Sequence, residues 1–339
     1  MTKLLFISFL AGIVSFVSID NQWLSSEQHL QISEWPKPVY NFEQNPITED
    51  GFQLGRKLFY DPMLSRDNTI SCANCHLQFT GFTHVDHAVS HGIEGRKGTR
   101  NSPVLINLAW NSSFHWDGGV NHLDVQAINP IQHPAEMDNS LSNVLEYVND
   151  SKEYRSAFFT VFGDSIATSS SLMRAISQFT VSLVSSNSKY DQYQRGEVDF
   201  SNQEKRGLKL FEKHCNSCHT APLFNSNEYA SNGLPIDTAY NDLGRYGISK
   251  VGSDSLKFRI PTLRNIEHTY PYMHDGRFKK LREVVQYYAE ELDREAPYLS
   301  EKLKTEMKLS DNHQKDLIAF LCTLTDRSFL YNRRFGFPN

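Results

Sequence analysis

Apolar and polar positions divide the start of the chain into two parts. Leu4 to Ile19 is a run of 16 residues without a charge, preceded by Lys3, and the sequence turns polar at Asp20. The run is slightly long for the core of a signal peptide and slightly short for a membrane span. It predicts a secretory leader over residues 1–19, with an uncleaved membrane anchor or a buried core helix as alternatives. A leader or an anchor would place the folded part outside the cytoplasm, and we expect the periplasm.

Apolar residues recur at the spacing of one helix face near the end of each half of the chain. They are Leu172, Ala175, Ile176, Phe179 and Leu183 in the first half, and Leu317, Ile318, Phe320, Leu321 and Leu324, within Asp316–Asp326, in the second. This spacing predicts two amphipathic helices, each with one face in a core.

Two earlier segments share the pattern G-x-K-L-F, at residues 55–59 and 207–211. Ser201 and Glu204 form a capping box that predicts a helix start before the second copy, and Thr48 is a plausible cap before the first. No run of alternating residues is long enough for a sheet. The repeat therefore predicts an all-α fold of two tandem domains, over residues 45–195 and 196–339.

Two segments lack helical periodicity. Residues 20–44 contain Trp35-Pro36-Lys37-Pro38 and predict an extended arm, and residues 225–255, rich in Asn, Ser, Gly and Asp, predict a long loop.

Composition narrows the classes of function. A length of 339 residues suits about two domains and is enough for a hydrophobic core in each. Lys plus Arg minus Asp plus Glu is 34 − 39 = −5, and this weakly acidic balance argues against nucleic acid as a partner. Apolar residues at 39% and charged residues at 22% are typical of a globular protein and exclude a disordered chain.

The cysteines carry the clearest chemical signal. Four of the five lie in two C-x-x-C-H motifs, Cys72–His76 and Cys215–His219. In this motif two thiols on one helical turn bind the vinyl groups of a haem, and the following imidazole binds its iron. A redox dithiol and a shared zinc site are the alternatives, but zinc held by four cysteines would leave both histidines unexplained. We expect two covalent c-type haems, held by Cys72, Cys75 and His76 and by Cys215, Cys218 and His219. The fifth cysteine, Cys322, fits a small buried apolar residue.

The motifs between and around the haem sites resemble those of a known family. From Gly55 to about Asp326, the chain is similar to the bacterial di-haem cytochrome c peroxidases and their MauG-like relatives. The shared motifs are Leu58-Phe59-Tyr60-Asp61, Leu64-Ser65, Arg100-Asn101-Ser102-Pro103, Trp116-Asp117-Gly118, Glu136-Met137, Pro261-Thr262-Leu263-Arg264-Asn265 and Pro271-Tyr272-Met273-His274-Asp275-Gly276.

The resemblance implies an enzyme that reduces hydrogen peroxide at the N-terminal haem. Electrons would enter through the C-terminal haem from a small cytochrome c or a cupredoxin, and a homodimer is a compatible assembly. Two other functions stay open: a MauG-like oxidase that uses peroxide to modify a partner protein, and a two-haem electron carrier without catalysis.

The resemblance also assigns residues to the catalytic pocket. Glu136 matches the distal acid that moves the peroxide proton, and Gln126 and Pro130 match residues that line the same pocket. Trp116 matches the indole between the haems that relays an electron. The alternatives are a solvated carboxylate for Glu136 and a core aromatic for Trp116.

Two axial ligands follow from the resemblance. His91, 15 residues after His76, resembles the histidine that binds the first iron in the resting state, although His84 and His87 lie nearby. Tyr288, 14 residues after His274, occupies the position where peroxidases place a methionine ligand of the second iron. The alternatives are an open first iron, and a five-coordinate second iron with Tyr288 packed in a helix. Tyr287 adjoins that position, and Met273 is also close.

The remaining implied sites bind cofactor groups. Asn101, Thr269 and Pro271 match a calcium site between the domains, with oxygen ligands that suit a hard cation. Arg264 is a candidate partner of a haem propionate, with a solvated arginine as the alternative.

Overall fold

The computed structural model describes Ile32 and residues 35–338. The predicted leader over residues 1–19 and most of the predicted arm lie outside this part. Among the described residues, no helix has the length and apolar character needed to cross a membrane.

The described chain is helix-rich, and its α-helices follow one another in two groups. The first group is α1 (Glu49–Tyr60), α2 (Cys72–Cys75), α3 (Ile128–Gln132), α4 (Leu141–Asp150), α5 (Lys152–Phe162), α6 (Ser169–Val181) and α7 (Lys189–Gln194). The second group is α8 (Asn202–His214), α9 (Tyr246–Ser249), α10 (Leu281–Gln286), α11 (Asp311–Cys322) and α12 (Arg327–Leu330). A π-helical turn, Tyr287–Glu291, extends α10.

Short elements connect these helices. The 3₁₀ turns are Pro62–Leu64, Gln78–Thr80, Ile93–Gly95, Leu108–Trp110, Leu123–Val125, Gly252–Asp254, Glu301–Leu303 and Arg333–Phe335. Strand β1 (Tyr229–Ala230) pairs antiparallel with β2 (Phe258–Arg259), in the register Tyr229 to Arg259. The prediction of a long loop over residues 225–255 therefore missed β1 and α9.

The G-x-K-L-F repeat has the same structural role in both copies. A Cβ atom on Gly55 would lie 2.0 Å from the Ala175 carbonyl oxygen of α6, and one on Gly207 would lie 2.0 Å from the Asp316 carbonyl oxygen of α11. Each glycine thus allows its helix to cross the closing helix at backbone contact. The two predicted closing helices are confirmed as α6 and α11, but both end before the last residue of the predicted stripe. α6 ends at Val181, before Leu183, and α11 runs from Asp311 to Cys322, before Leu324.

The predicted helix starts are also confirmed. The Thr48 hydroxyl accepts the Gly51 N–H at 3.0 Å. At α8 the Ser201 hydroxyl accepts the Glu204 N–H at 3.2 Å, while the Glu204 carboxylate accepts the Ser201 N–H at 2.6 Å. These bonds satisfy N–H groups that have no partner within the helix.

The C-terminal tail packs on the N-terminal half of the chain. Phe329, Leu330 and Phe335 belong to the same buried cluster as Phe52 and Phe59 of α1. The Tyr60 hydroxyl donates to the Phe335 carbonyl at 2.8 Å, and the Arg56 guanidinium donates to the Arg334 carbonyl at 2.7 Å. Residues 329–335 therefore complete a core that also contains residues of α1.

Candidate functional site

The first C-x-x-C-H motif forms a single helical turn followed by an oriented histidine. Cys72 and Cys75 lie at the ends of α2, and the Asn74 side chain accepts the Ser71 N–H at 2.8 Å at its start. The His76 Nδ1 donates to the Phe82 carbonyl oxygen at 2.7 Å. This bond fixes the ring and leaves the lone pair of Nε2 for a metal.

The second motif also presents an oriented histidine, although its cysteines lie in turns after the end of α8 rather than in a helix of their own. Cys215 caps the end of α8, and the His219 Nδ1 lies 3.0 Å from the Pro261 carbonyl oxygen and 3.3 Å from that of Phe224. Burial lowers the pKa of His76 and of His219 to about 4, so both imidazoles are neutral. The neutral ring is the form that binds a metal.

The two cysteine pairs lie in different cores. Cys72 packs against the cluster that contains Phe59, whereas Cys215 packs against the cluster that contains Phe211. A four-cysteine zinc site needs all four sulfurs within about 2.3 Å of one ion, which this separation does not favour. The thiols, none in a disulfide, and the neutral histidines instead fit one c-type haem at each motif.

A large cavity adjoins the second motif. In the described part of the chain its lining includes no Asp or Glu, and apolar side chains such as Leu263, Val285 and Leu321 predominate. Cys215, Cys218 and His219 open into it, which fits the largely apolar body of a haem. Trp116, Tyr288 and Met273 line the same space.

Glu136 lies beside the first motif. Burial raises the pKa of the Cys72 and Cys75 thiols to about 12, and the nearby Glu136 carboxylate adds to both shifts. The pKa of Glu136 is itself raised by burial, although His133, 3.7 Å from its carboxylate, lowers it. A carboxyl group with a raised pKa holds its proton more readily, which suits proton transfer.

A close backbone contact holds Glu136 against the segment after His91. The Ile93 N–H donates to the Glu136 carbonyl at 2.8 Å, and a Cβ atom on Gly92 would lie 2.2 Å from the Ala135 carbonyl oxygen. The His91 carbonyl oxygen lies 3.7 Å from the Cys75 sulfur. The structure thus brings Glu136, the backbone of His91 and the first motif together, with Gly92 as a contact that sequence analysis did not single out.

Gln126 and Pro130 belong to the segment that leads to Glu136. Gln126 precedes α3 and Pro130 lies within it. The Met137 N–H donates to the Pro130 carbonyl at 3.2 Å, which ties α3 to the Glu136 turn. Gln126, Pro130 and Glu136, all predicted to line the catalytic pocket, therefore lie in or next to α3.

The ring of His91 packs in a row of histidines. Its centroid lies 4.4 Å from that of His87, whose ring stacks on His84 at 5.4 Å. Sequence analysis missed another histidine, His115, whose Nε2 lies 3.4 Å from the Asn129 amide nitrogen of α3. Its position directly before Trp116 was the available signal.

Trp116 and the predicted calcium residues meet where the two halves of the chain touch. The Trp116 indole N–H donates to the Asn101 carbonyl at 2.7 Å, and the Asn101 N–H donates to the His274 carbonyl at 2.7 Å. Asn101, Thr269 and Pro271 all line the large cavity. The structure thus places the three residues in one region, with carbonyl and amide oxygens as available ligands.

Tyr288 lies in the π-helical turn that follows α10 and lines the cavity together with His219. Burial raises its pKa to about 12. The neighbouring Tyr287 has a different role, because its hydroxyl donates to the Asn232 carbonyl at 2.9 Å and its ring is buried against Phe278. Single π-helical turns often occur at functional sites.

The structure favours neither expectation for Arg264, a partner of a haem propionate or a solvated side chain. Its guanidinium is fully buried and donates two bonds, of 2.8 and 2.7 Å, to the Asp191 carboxylate. It also donates to the Pro222 carbonyl at 2.6 Å. A charge already neutralised by a bidentate carboxylate is a poor partner for a second anion.

Comparison with known proteins agrees with these features. Residues 49–199 match the family described as di-haem cytochrome c peroxidase, and residues 204–325 match the cytochrome c family. The cytochrome c551 peroxidase of Nitrosomonas europaea is 33% identical over 285 residues, which cover 83% of this chain and 81% of that protein. The chain belongs to the di-haem cytochrome c peroxidase family.

Other members of the di-haem peroxidase family show similar agreement. The methylamine utilization protein MauG of Methylorubrum extorquens is 33% identical over 85% of this chain and 82% of its own length. A crystal structure of a MauG-like protein associated with microbial copper homeostasis superposes with a TM-score of 0.83 at 32% identity, over 90% of this chain and 97% of that one. The family resemblance inferred from the sequence is confirmed.

Membership fixes the coarse organisation of this peroxidase. It consists of a peroxidase/MauG-like domain followed by a cytochrome c domain, and both families use haem. It is an oxidoreductase of the cytochrome c peroxidase type.

Proposed function

We propose that this protein reduces hydrogen peroxide to water in the periplasm, with electrons from a small cytochrome c or cupredoxin that enter at the C-terminal haem. The observation that carries the proposal is the placement of the Glu136 carboxyl beside the Cys72–His76 motif, within the region that matches the peroxidase family.

The side chains around each motif define what the protein contributes. Cys72, Cys75 and His76 would hold one haem, and Cys215, Cys218 and His219 the other. When bound, the haems supply the iron at which peroxide is reduced and the redox centre through which electrons arrive. The carbonyl partners of His76 and His219 keep each ring oriented and its Nε2 deprotonated.

Glu136 would act as the proton carrier of the first site. A carboxyl group can take a proton from one oxygen of a bound peroxide and return it to the other. The contact of Gly92 and Ile93 with its backbone fixes the position of this group. Trp116, held by the Asn101 carbonyl, would relay electrons between the two domains.

Three further assignments belong to the proposal. His91 would bind the first iron in the resting protein, after its ring leaves His87. Asn101, Thr269 and Pro271 would bind Ca²⁺ between the domains, and two chains would form a homodimer.

Two haem groups should be attached to each chain. Both motifs present free thiols and an oriented histidine, so intact-mass measurement of protein produced with haem-maturation machinery should show two haem additions. The Cys215→Ser/Cys218→Ser variant should show one addition and keep the first. A single addition on the parent, or zinc in place of iron, would contradict the two-haem proposal.

Peroxide consumption should depend on a reduced donor protein. We expect turnover of hydrogen peroxide with reduced cytochrome c or cupredoxin, and almost none without a donor. Loss of peroxide only in the presence of a protein that becomes modified would instead favour a MauG-like oxidase. Absence of peroxide turnover in protein that carries both haems would favour an electron carrier.

The MauG-like alternative rests on Tyr288. This residue lines the large cavity, at the position where the conventional peroxidase scheme needs a methionine ligand. A tyrosinate ligand would stabilise the oxidised iron, which changes how readily the second haem passes on electrons.

A further inference from the structure

Arg259 carries a positive charge into the interior of the molecule without a carboxylate partner among the described residues. It lies at the end of β2, lines the large cavity and is only 6% exposed. The hydrogen bond of its side chain is a long one, from Nε to the His115 carbonyl oxygen at 3.4 Å. Burial also lowers its pKa, because the charged form loses hydration.

Other arginines in this region have carboxylate partners. The Arg264 guanidinium binds Asp191, and that of Arg100 binds Asp117 and Asp242. Across the strand pair, Arg259 is opposite Tyr229, whose phenol oxygen lies 2.6 Å from the Ser113 hydroxyl. The contrast indicates that a negative charge from outside the chain completes the site of Arg259.

The cavity itself points to the kind of anion. Its described lining includes no Asp or Glu, and its other strong cation, Lys302, is 2.7 Å from the Glu228 carboxylate. A buried charge without a partner destabilises the folded protein. A ligand that brings its own carboxylate into the cavity would remove this penalty. A planar guanidinium can donate two parallel hydrogen bonds to such a group.

We propose that Arg259 binds a propionate of the haem attached at Cys215 and Cys218 and thereby raises the reduction potential of that haem. The inference rests on the proposed haem attachment in this cavity. Two main-chain contacts fix the position of Arg259. Its N–H donates to the Trp116 carbonyl at 2.7 Å, and its strand, β2, pairs with β1. The guanidinium is thus held between the cavity and the His115–Trp116 segment, where a positive charge favours the reduced, less positive haem.

Redox titration of variants tests the proposal. In Arg259→Gln, the ratio of reduced to oxidised C-terminal haem at fixed potential should fall about tenfold, which is about 59 mV for one electron. Arg259→Lys should give a smaller shift in the same direction, about threefold, because an ammonium keeps the charge but lacks the planar fork. The same titration of Tyr288→Met, in which the potential of the C-terminal haem should change, shows which of the two redox transitions belongs to that haem.

Arg245→Gln is the matched control. Arg245, directly before α9, lies 3.9 Å above the Tyr229 ring, but it is partly exposed and lies 3.6 Å from the Asp254 carboxylate. Its replacement should leave the ratio of reduced to oxidised haem, at fixed potential, within about twofold of the parent for both haems, because solvent and salt screen an exposed charge.

The outcomes separate this inference from the proposed function. Suppose that the parent carries a haem at Cys215 and Cys218, and that Arg259→Gln has the same haem potential as Arg245→Gln. This result would overturn the role of Arg259 but not the haem attachment. A parent without that haem, by intact mass, would overturn the attachment first. Should Arg259→Gln fail to fold, Arg259→Met decides, because it also removes the charge: a potential equal to that of Arg245→Gln would reject the proposal.

Discussion

Replacing Glu136 with glutamine should lower the rate of peroxide reduction by about 10²–10⁴-fold, the usual contribution of a positioned acid–base group. Glutamine has nearly the shape of glutamate but cannot carry a proton between two oxygens. The backbone contacts of Gly92 and Ile93 with residue 136 do not depend on the side chain, so the pocket should persist. Peroxide turnover with a reduced donor is the measurement, and intact mass should still show both haems.

Glu94→Gln provides the control for this experiment. Glu94 follows Ile93, whose N–H binds the Glu136 carbonyl, but the Glu94 carboxylate pairs with Arg66 and Arg96 at the surface, 3.0 and 2.6 Å away. Its loss should leave turnover close to that of the parent. If Glu136→Gln also stays within about threefold of the parent, far less than acid–base catalysis supplies, Glu136 is not the proton carrier.

Replacing Tyr288 with methionine should raise the reduction potential of the C-terminal haem. Axial ligands set haem potentials over a range of about 0.8 V, and a thioether favours the reduced iron more than a phenolate does. We expect a change above a hundredfold in the ratio of reduced to oxidised haem, about 118 mV for one electron. The N-terminal haem should change little, and a spectroelectrochemical titration follows both.

Tyr287→Phe is the companion variant. It removes a hydroxyl that donates to the Asn232 carbonyl, 2.9 Å away, and leaves the buried ring in place. This variant should keep the parent potentials. A Tyr288→Phe protein with the spectra and potentials of the parent would show that Tyr288 is not a ligand, and would leave Met273 or an open position as the candidates. Met273 lines the same cavity, and its sulfur accepts the Asn232 amide at 3.4 Å.

Local signals allowed much of the molecule to be predicted from its sequence. The C-x-x-C-H motifs and the caps at Thr48 and Ser201 each lie within one or two helical turns, and the apolar stripes of α6 and α11 each span about two to three turns. Because the physics of these features acts between close neighbours in the chain, their spacing is sufficient to recognise them.

Contacts between distant segments were not available in the same way. Arg264 and Arg259 lie five positions apart. Only the fold brings Asp191 to the first and leaves the second without a carboxylate among residues 35–338. Gly92 likewise has no local signal, since its importance comes from the approach of Ala135 and Glu136. The short pairing of β1 with β2 joins segments separated by α9, and two residues per strand are too few for an alternating pattern.

The return of residues 329–335 to the N-terminal half also couples the stability of the two halves of the chain. Cys72 packs against a buried cluster to which Phe329, Leu330 and Phe335 contribute. The Tyr60 hydroxyl and the Arg56 guanidinium hold the same segment by its Phe335 and Arg334 carbonyl oxygens. This segment follows the region that matches the cytochrome c family, yet its detachment would expose apolar surface around the first motif. Unfolding of one half should therefore weaken the other, and the two halves should unfold cooperatively.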